Sequence, residues 1–385
     1  MKIGITTYFN IKNYGSALQA FAMRNFLMRD GHTAVFLNIK EQKPIDKLCH
    51  KMHVATVTAA KCILNKEARE TQQEIKRLKR ATTTVITPET SEMFSRFEAD
   101  CLPSICIGRR ALKKVASSDE YGAFICGSDQ IWSPLSPHLS GFKFLNFAPK
   151  HKRIAYAPSF GVSKIPSYNE AFIKRNLLEI EDISVREFYG AEIVKNLTGK
   201  NVPVVLDPTM LITGEEWRSL YQAQVSSKEN DKYILCYFFD EPNMEIVSKI
   251  SDFAVSQSLK IKVLVASNKA FLEKGAELVD AGPMEFLQLI DNAQYVFTNS
   301  FHGCVFSVLF KKNFIAFGRS HSETVKQTSR IETLLKRVGA EESFYNDNQK
   351  AFAFPHTEAF EACIEPLRSA SGEYLTKCLK KRSVQ

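Results

Sequence analysis

The residues best suited to chemistry lie together late in the chain, where an apolar run delivers a histidine and a glycine onto the start of an apolar helix. Tyr295 to Thr298 read as a short buried strand, and Val305, Phe306, Val308, Leu309 and Phe310 as a buried helix. His302 and Gly303 fall at or near the turn between them, with Asn299 and Ser300 as neutral hydrogen-bond donors alongside. Open α/β sheets bind ligands at the carboxyl ends of their strands, where free N–H groups of the next helix favour anions. An imidazole with an intrinsic pKa of about 6.5 is suited to hand a proton to an anionic substrate there. The competing reading is a helix-capping or core histidine.

Arg186 closes another apolar strand, Ile183 to Arg186, where a guanidinium can grip a carboxylate or phosphate with two parallel hydrogen bonds. An ion pair with Glu187 or Glu181 would use it equally well. Asp129 follows Gly127-Ser128 at the end of the strand Ala123 to Cys126, where a carboxylate orients or deprotonates a hydroxyl, or caps a turn. Asn13-Tyr14-Gly15 occupies the loop after the first strand and should line the same cleft. The eight histidines have no zinc spacing, and the His50/His53 pair sits in a charged stretch, so no metal is expected.

The elements that must position these groups form an α/β pattern. The first stretch spells strand (Ile3 to Thr6), loop, helix (Ser16 to Arg29, capped by Ser16 and stopped by Gly31) and strand (Thr33 to Asn38), without a Gly-x-Gly-x-x-Gly fingerprint. Residues 41–120 are rich in Lys, Arg, Glu and Thr and read as a helical insertion. The pattern then resumes, breaks at Asp207-Pro208, and repeats with strands at Tyr233 to Phe239, Ile261 to Ala266, Tyr295 to Thr298 and Phe314 to Phe317. A last helix runs from Pro355 to Lys381. The division expected is a first domain over 1–206, a second over 207–354, and a helical segment over 355–385 that packs back on the first.

A length of 385 residues with 44% hydrophobic content is enough for about two domains. The net charge of +9 selects no partner by itself, and with no basic, aromatic-rich motif nucleic acid is not expected. The nine cysteines contain no Cys-x-x-Cys pair and read as reduced thiols. No signal peptide or membrane span is evident, so a cytoplasmic protein is expected.

Six segments, in order, resemble the signatures of the polysaccharide pyruvyl transferase family. They are Asn13-Tyr14-Gly15-Ser16-Ala17-Leu18-Gln19-Ala20, Cys126-Gly127-Ser128-Asp129-Gln130-Ile131-Trp132, Ser184-Val185-Arg186-Glu187, Val205-Leu206-Asp207-Pro208-Thr209, Gly282-Pro283-Met284-Glu285-Phe286-Leu287 and Thr298-Asn299-Ser300-Phe301-His302-Gly303. The resemblance implies two Rossmann-like domains facing a cleft, similar to the GT-B glycosyltransferase fold, with the first as acceptor side and the second as donor side. It also implies phosphoenolpyruvate as donor substrate, no cofactor, and a sugar of a bacterial cell-surface polysaccharide precursor as acceptor, ketalised across two hydroxyls.

On that reading His302 protonates the donor's methylene, Asp129 serves the acceptor hydroxyl, and Arg186 with the N–H groups near Gly303 holds the anion. Gly127 and Ser128 line the site, and Trp132 and Tyr14 either stack on the sugar or belong to the core. Relatives often carry Arg-x-His at the histidine segment. Here the Arg position is Ser300, so a second cation is wanted, and Arg330 or Arg319 can supply it. His321 follows in a polar loop. A lipid-linked acceptor, with the basic tail touching the inner membrane face, would suit the net charge. Two other functions compete: a nucleotide-sugar-dependent glycosyltransferase, and a non-catalytic glycan-binding relative.

Overall fold

The computed structural model describes residues 1–40, 44–81, 86–225, 231–264, 269–319, 328–347 and 351–383. It contains two parallel sheets covered by helices. The first comprises β1 (Lys2–Thr6), β2 (Thr33–Ile39), β3 (Ser104–Ile107), β4 (Ala123–Cys126), β5 (Arg153–Ala155) and β6 (Asp182–Ile183), in the order β3-β2-β1-β4-β5-β6. The second comprises β7 (Tyr233–Tyr237), β8 (Lys260–Leu264), β9 (Glu277–Val279), β10 (Tyr295–Thr298) and β11 (Asn313–Ala316), in the order β11-β10-β7-β8-β9. Every strand pair is parallel, and the central strands are apolar throughout because helices cover both faces. Each sheet reverses its winding once, between β1 and β4 and between β7 and β10, which opens a crevice at the carboxyl ends of those strands.

Two strands, β3 and β9, carry no sequence-level expectation, because both are short edge strands with polar flanks. β3 and the helix Arg109–Ser117 lie inside the stretch expected to be a helical insertion. The added helices are Pro44–Leu64, Lys66–Ala81 and Pro88–Cys101. The strand expected from 261 to 266 is described only as far as Leu264. The first helix begins at Tyr14, and its N-cap is Asn13, whose side chain accepts from the Ser16 N–H. This corrects the expectation of Ser16 as cap and leaves the Ser16 hydroxyl for another partner.

One apolar cluster runs through both halves of the chain. Tyr14 stacks on Phe286 at 4.6 Å between ring centroids and donates its hydroxyl to the Ala281 carbonyl at 3.0 Å. The last helix, Phe360–Ser383, returns to the first sheet: Lys381 and Arg382 both reach Asp182, at 2.7 and 2.8 Å, and Arg382 also donates to the Arg153 carbonyl. Part of the expected free basic tail is therefore spent on fixing the chain's end to β5 and β6.

The helix Pro44–Leu64 rests on the body through polar contacts, including a histidine trio. The His138 ring lies 6.1 Å from that of His50 and 5.6 Å from that of His53. Burial, then His53, His50, Arg109 and Lys61, push the His138 pKa below 6.5. A folded-state pKa below the unfolded one gives stability that is complete above about pH 6.5 and is lost as pH falls toward the folded value. Amide exchange in Pro44–Leu64, corrected for intrinsic rate, is expected to accelerate between about pH 7.5 and about pH 5.5. In His138→Gln that pH dependence should disappear.

Candidate active site

The two crevices face each other and enclose a cavity of about 330 Å³. Each wall comes from a strand's carboxyl end: Tyr8 and Asn13 after β1, Asp129 after β4, Phe239 after β7, Ser300 to His302 after β10 and Arg319 after β11. Arg330, at the start of the helix Ser329–Val338, completes the lining. The sequence expectation that His302 and Asp129 share one cleft thus corresponds to adjacent walls of one cavity.

Beneath the cavity floor, Asp207 is the hub. It is fully buried and N-caps the short 3-10 turn Pro208–Leu211, which fixes its carboxylate. Oδ1 accepts from the Thr209 N–H and hydroxyl at 3.1 and 2.7 Å. Oδ2 accepts from the Ser128 hydroxyl at 2.8 Å and from Arg186 Nη1 at 2.7 Å, and lies 3.5 Å from His302 Nε2. Burial raises its pKa, but His302, Arg186 and Thr209 outweigh burial and hold the carboxyl well below the usual range. In the sequence Asp207 reads only as part of a break in regular structure at a domain junction and of a family signature. An aspartate before proline signals a turn first, so its role as hub was not legible.

Arg186 departs from the expected anion clamp. Its Nη1 is committed to Asp207, and its guanidinium lies 4.3 Å from the centre of the Phe301 ring. Arg186 Nε and Nη2 are buried without a hydrogen-bond partner among the described residues, and Nη2 lies 3.8 Å from Asp129 Oδ1. The residue positions His302 through Asp207 and adds positive charge behind the cavity. Glu187, its neighbour, points elsewhere and accepts from the Ser159 hydroxyl and the Phe160 and Gly161 N–H groups.

Asp129 accepts the Ser16 hydroxyl at 2.6 Å, the bond for which that hydroxyl was left free. Burial raises its pKa, yet Arg186, His302, Ser16 and Arg330 together bring it below the usual carboxylate value. A carboxylate held low is a weak base, so Asp129 orients a hydroxyl better than it deprotonates one. Gly127 and Ser128 stand behind it and do not line the cavity. A Cβ at Gly127 would meet the Tyr156 carbonyl at 2.1 Å, which explains the glycine.

The His302 ring is wedged under the first helix: a Cβ at Gly15 would lie 1.9 Å from Nδ1. With Nε2 toward Asp207 and Nδ1 against Gly15, the imidazole has one orientation. Gly15→Ala is therefore expected to lower turnover by about 10²-fold through a misplaced ring, with little change in substrate affinity. A steady-state comparison of kcat and KM checks this.

The neutral donors around His302 are engaged in structure. Ser300 caps the histidine helix and accepts the Gly303 N–H at 3.2 Å, so that N–H is not offered to an anion. Gly303 itself is required by Thr298, whose Oγ1 would lie 2.6 Å from a Cβ there. The Asn299 amide accepts from the Phe239 N–H and donates to Asp240. These contacts leave Arg319 and Arg330 as the cations in the cavity lining. Arg319 stacks over Phe239 at 4.4 Å, and Arg330 lies 5.9 Å from the Phe301 ring centre. Burial, then Arg186 and Arg319, push the Arg330 pKa down to about 9, so it stays cationic at neutral pH in a crowd of cations. A bound anion relieves that crowding.

Neither expected aromatic platform faces the cavity. Tyr14 is in the core described above. Trp132 is buried, stacks on Phe144 at 5.2 Å and donates its indole N–H to the Lys143 carbonyl. Their size and apolar character put them inside. The aromatic rings in the lining are Tyr8, Phe239 and Phe301, each immediately after a strand, a positional signal that sequence reasoning passed over. His321 lies outside the described residues. Among the described residues, no group of three or more His, Cys, Asp or Glu is placed to hold a metal ion.

A family model described as polysaccharide pyruvyl transferase matches residues 13–321. No curated protein matches the chain. Among solved structures, the chain is similar to UDP-GlcNAc 2-epimerase from Methanocaldococcus jannaschii, solved with UDP-GlcNAc and UDP, at 14% identity over 99% of each chain with a TM-score of 0.45. The Neisseria meningitidis UDP-GlcNAc 2-epimerase bound to UDP-GlcNAc is 12% identical over 99% of this chain and 94% of its own, with a TM-score of 0.46. An E. coli heptosyltransferase with ADP is 8% identical over 89% of this chain and 99% of its own, with a TM-score of 0.38.

Proposed function

The chain belongs to the polysaccharide pyruvyl transferase family, and from that premise we propose that it moves pyruvate from phosphoenolpyruvate onto two hydroxyls of a sugar in a polysaccharide precursor, as a cyclic ketal. The observation that carries this reading is the pairing, in one small cavity, of a fixed imidazole with two arginines, Arg330 buried and Arg319 half-buried. A donor bearing a carboxylate and a phosphate needs cations, and an enol phosphate needs a proton on its methylene carbon to react at the neighbouring one.

Arg319 and Arg330 offset the donor's charge. His302 gives a proton to the methylene carbon, which becomes a methyl group and leaves an oxocarbenium-like centre at the carbon bearing phosphate. A sugar hydroxyl, oriented by Asp129, attacks that carbon, and the neutral imidazole takes the hydroxyl proton. The second hydroxyl then forms the other C–O bond as the carbon–phosphate oxygen bond breaks; phosphate leaves with the electron pair, and the second hydroxyl's proton goes to it. Tyr8 and Phe239 offer apolar faces to the sugar C–H groups.

The test is phosphate release from phosphoenolpyruvate by purified protein with a panel of sugar acceptors. Acceptor-dependent release supports the proposal. Failure to bind phosphoenolpyruvate by calorimetry overturns it, and turnover of a nucleotide sugar instead would assign the cavity to glycosyl transfer.

A further inference from the structure

The helix Pro44–Leu64 is built inside out. Its body side holds polar contacts beside half-buried Val54 and Val57: Lys61 donates to the Asn169 side chain at 2.6 Å, and the rings of half-buried His50 and exposed His53 meet His138. Its solvent side is apolar. Ile45, Leu48 and Met52 follow one another at helical spacing, and Ile63 lies on the same face three turns on with Thr56 and Ala59 between; the four are 60%, 53%, 61% and 76% exposed, and no residue of the helix is buried. Folding alone favours the opposite orientation, with the apolar stripe inward. An apolar stripe five turns long held outward by polar contacts is a binding face.

The surroundings of the stripe select its partner. Lys47 and Lys51 flank it and are exposed. Arg109 Nη2 lies 3.1 Å from His50 Nε2, so the helix Arg109–Ser117, with exposed Lys113, meets the body side of this helix and adds positive charge behind the stripe. That second helix carries four basic residues and no acidic one. An apolar stripe with basic flanks is the pattern of a helix lying in a membrane interface, with lysine stems along the acyl boundary and ammonium groups among anionic headgroups. No helix among the described residues is long and apolar enough to cross a membrane, so the contact is with the surface.

We infer that Pro44–Leu64, backed by Arg109–Ser117, docks this protein onto an anionic lipid surface. The contact made by these two helices takes the place of the one expected from the basic tail.

The test is co-sedimentation of the full chain with vesicles of phosphatidylcholine alone or with phosphatidylglycerol. Binding is expected only to the anionic vesicles and should weaken as salt rises. Leu48→Glu with Met52→Glu should reduce it at least about tenfold, and Lys51→Glu with Lys113→Glu should reduce it as well, by removing charge alone. All four side chains are exposed, so unchanged melting temperatures show that folding is not the cause. Absence of wild-type binding to anionic vesicles overturns the inference, as does binding that the variants leave intact. A concentration-dependent dimer abolished by Leu48→Glu with Met52→Glu would overturn it in favour of a subunit interface.

Discussion

His302→Ala is expected to lower acceptor-dependent phosphate release by at least about 10²-fold, with the loss in kcat and little change in KM for phosphoenolpyruvate. The donor's charge is assigned to Arg319 and Arg330, so removing the ring deletes proton transfer and leaves charge binding in place. The variant should fold, since the space opened borders the cavity rather than a dry core. A loss confined to KM would make His302 a binding group, and full activity would move proton transfer to another residue.

Arg186→Leu has the second large effect, on stability as well as rate. Arg186 is the buried partner of a buried carboxylate, and its removal leaves Asp207 charged in a dry site, at a cost of about 3–5 kcal/mol. Arg186→Leu with Asp207→Leu should regain most of that stability, because two apolar groups replace two charges, yet it should stay inactive, because the carboxylate facing His302 Nε2 is gone and Gly15 alone holds the ring. A double variant as unstable as the single one would show that the pair is not the source of the loss.

The pH profile of unfolding separates the roles further. The folded-state pKa of Asp207 lies below its unfolded value, so its stabilisation is complete above about pH 3.9 and is lost as pH falls below that. Without Arg186 the carboxylate is less well held, and acid unfolding should begin at higher pH. Urea titrations of both proteins across the acid range would measure the shift.

The sequence made the central strands legible because each is a continuous apolar run between polar turns, and the loops after them followed as site positions. β10 and the histidine helix are the best case: strand, cap and buried helix are all visible in Thr298 to Phe310. β3 and β9 were not legible, since edge strands bury little and carry weak patterns. Within the site, residue type was a poor guide to exposure. Trp132 and Tyr14 were drawn inward by their apolar area, while Arg330 is buried against chemical expectation. The role of Asp207 is not legible because, beside Thr209 in its own turn, its partners Ser128, Arg186 and His302 come from three separate segments.

The ring stack of Tyr14 on Phe286 joins the first helix to a helix of the second sheet, beside a cavity whose walls alternate between the two halves. Neither half is thus an independent module. A chimera that takes its first 206 residues from one homologue and the rest from another must match at Tyr14 and Gly15 as well as at the cavity wall. Acceptor preference should therefore be altered by substituting loops after β1 and β4 within one chain, rather than by exchanging whole halves.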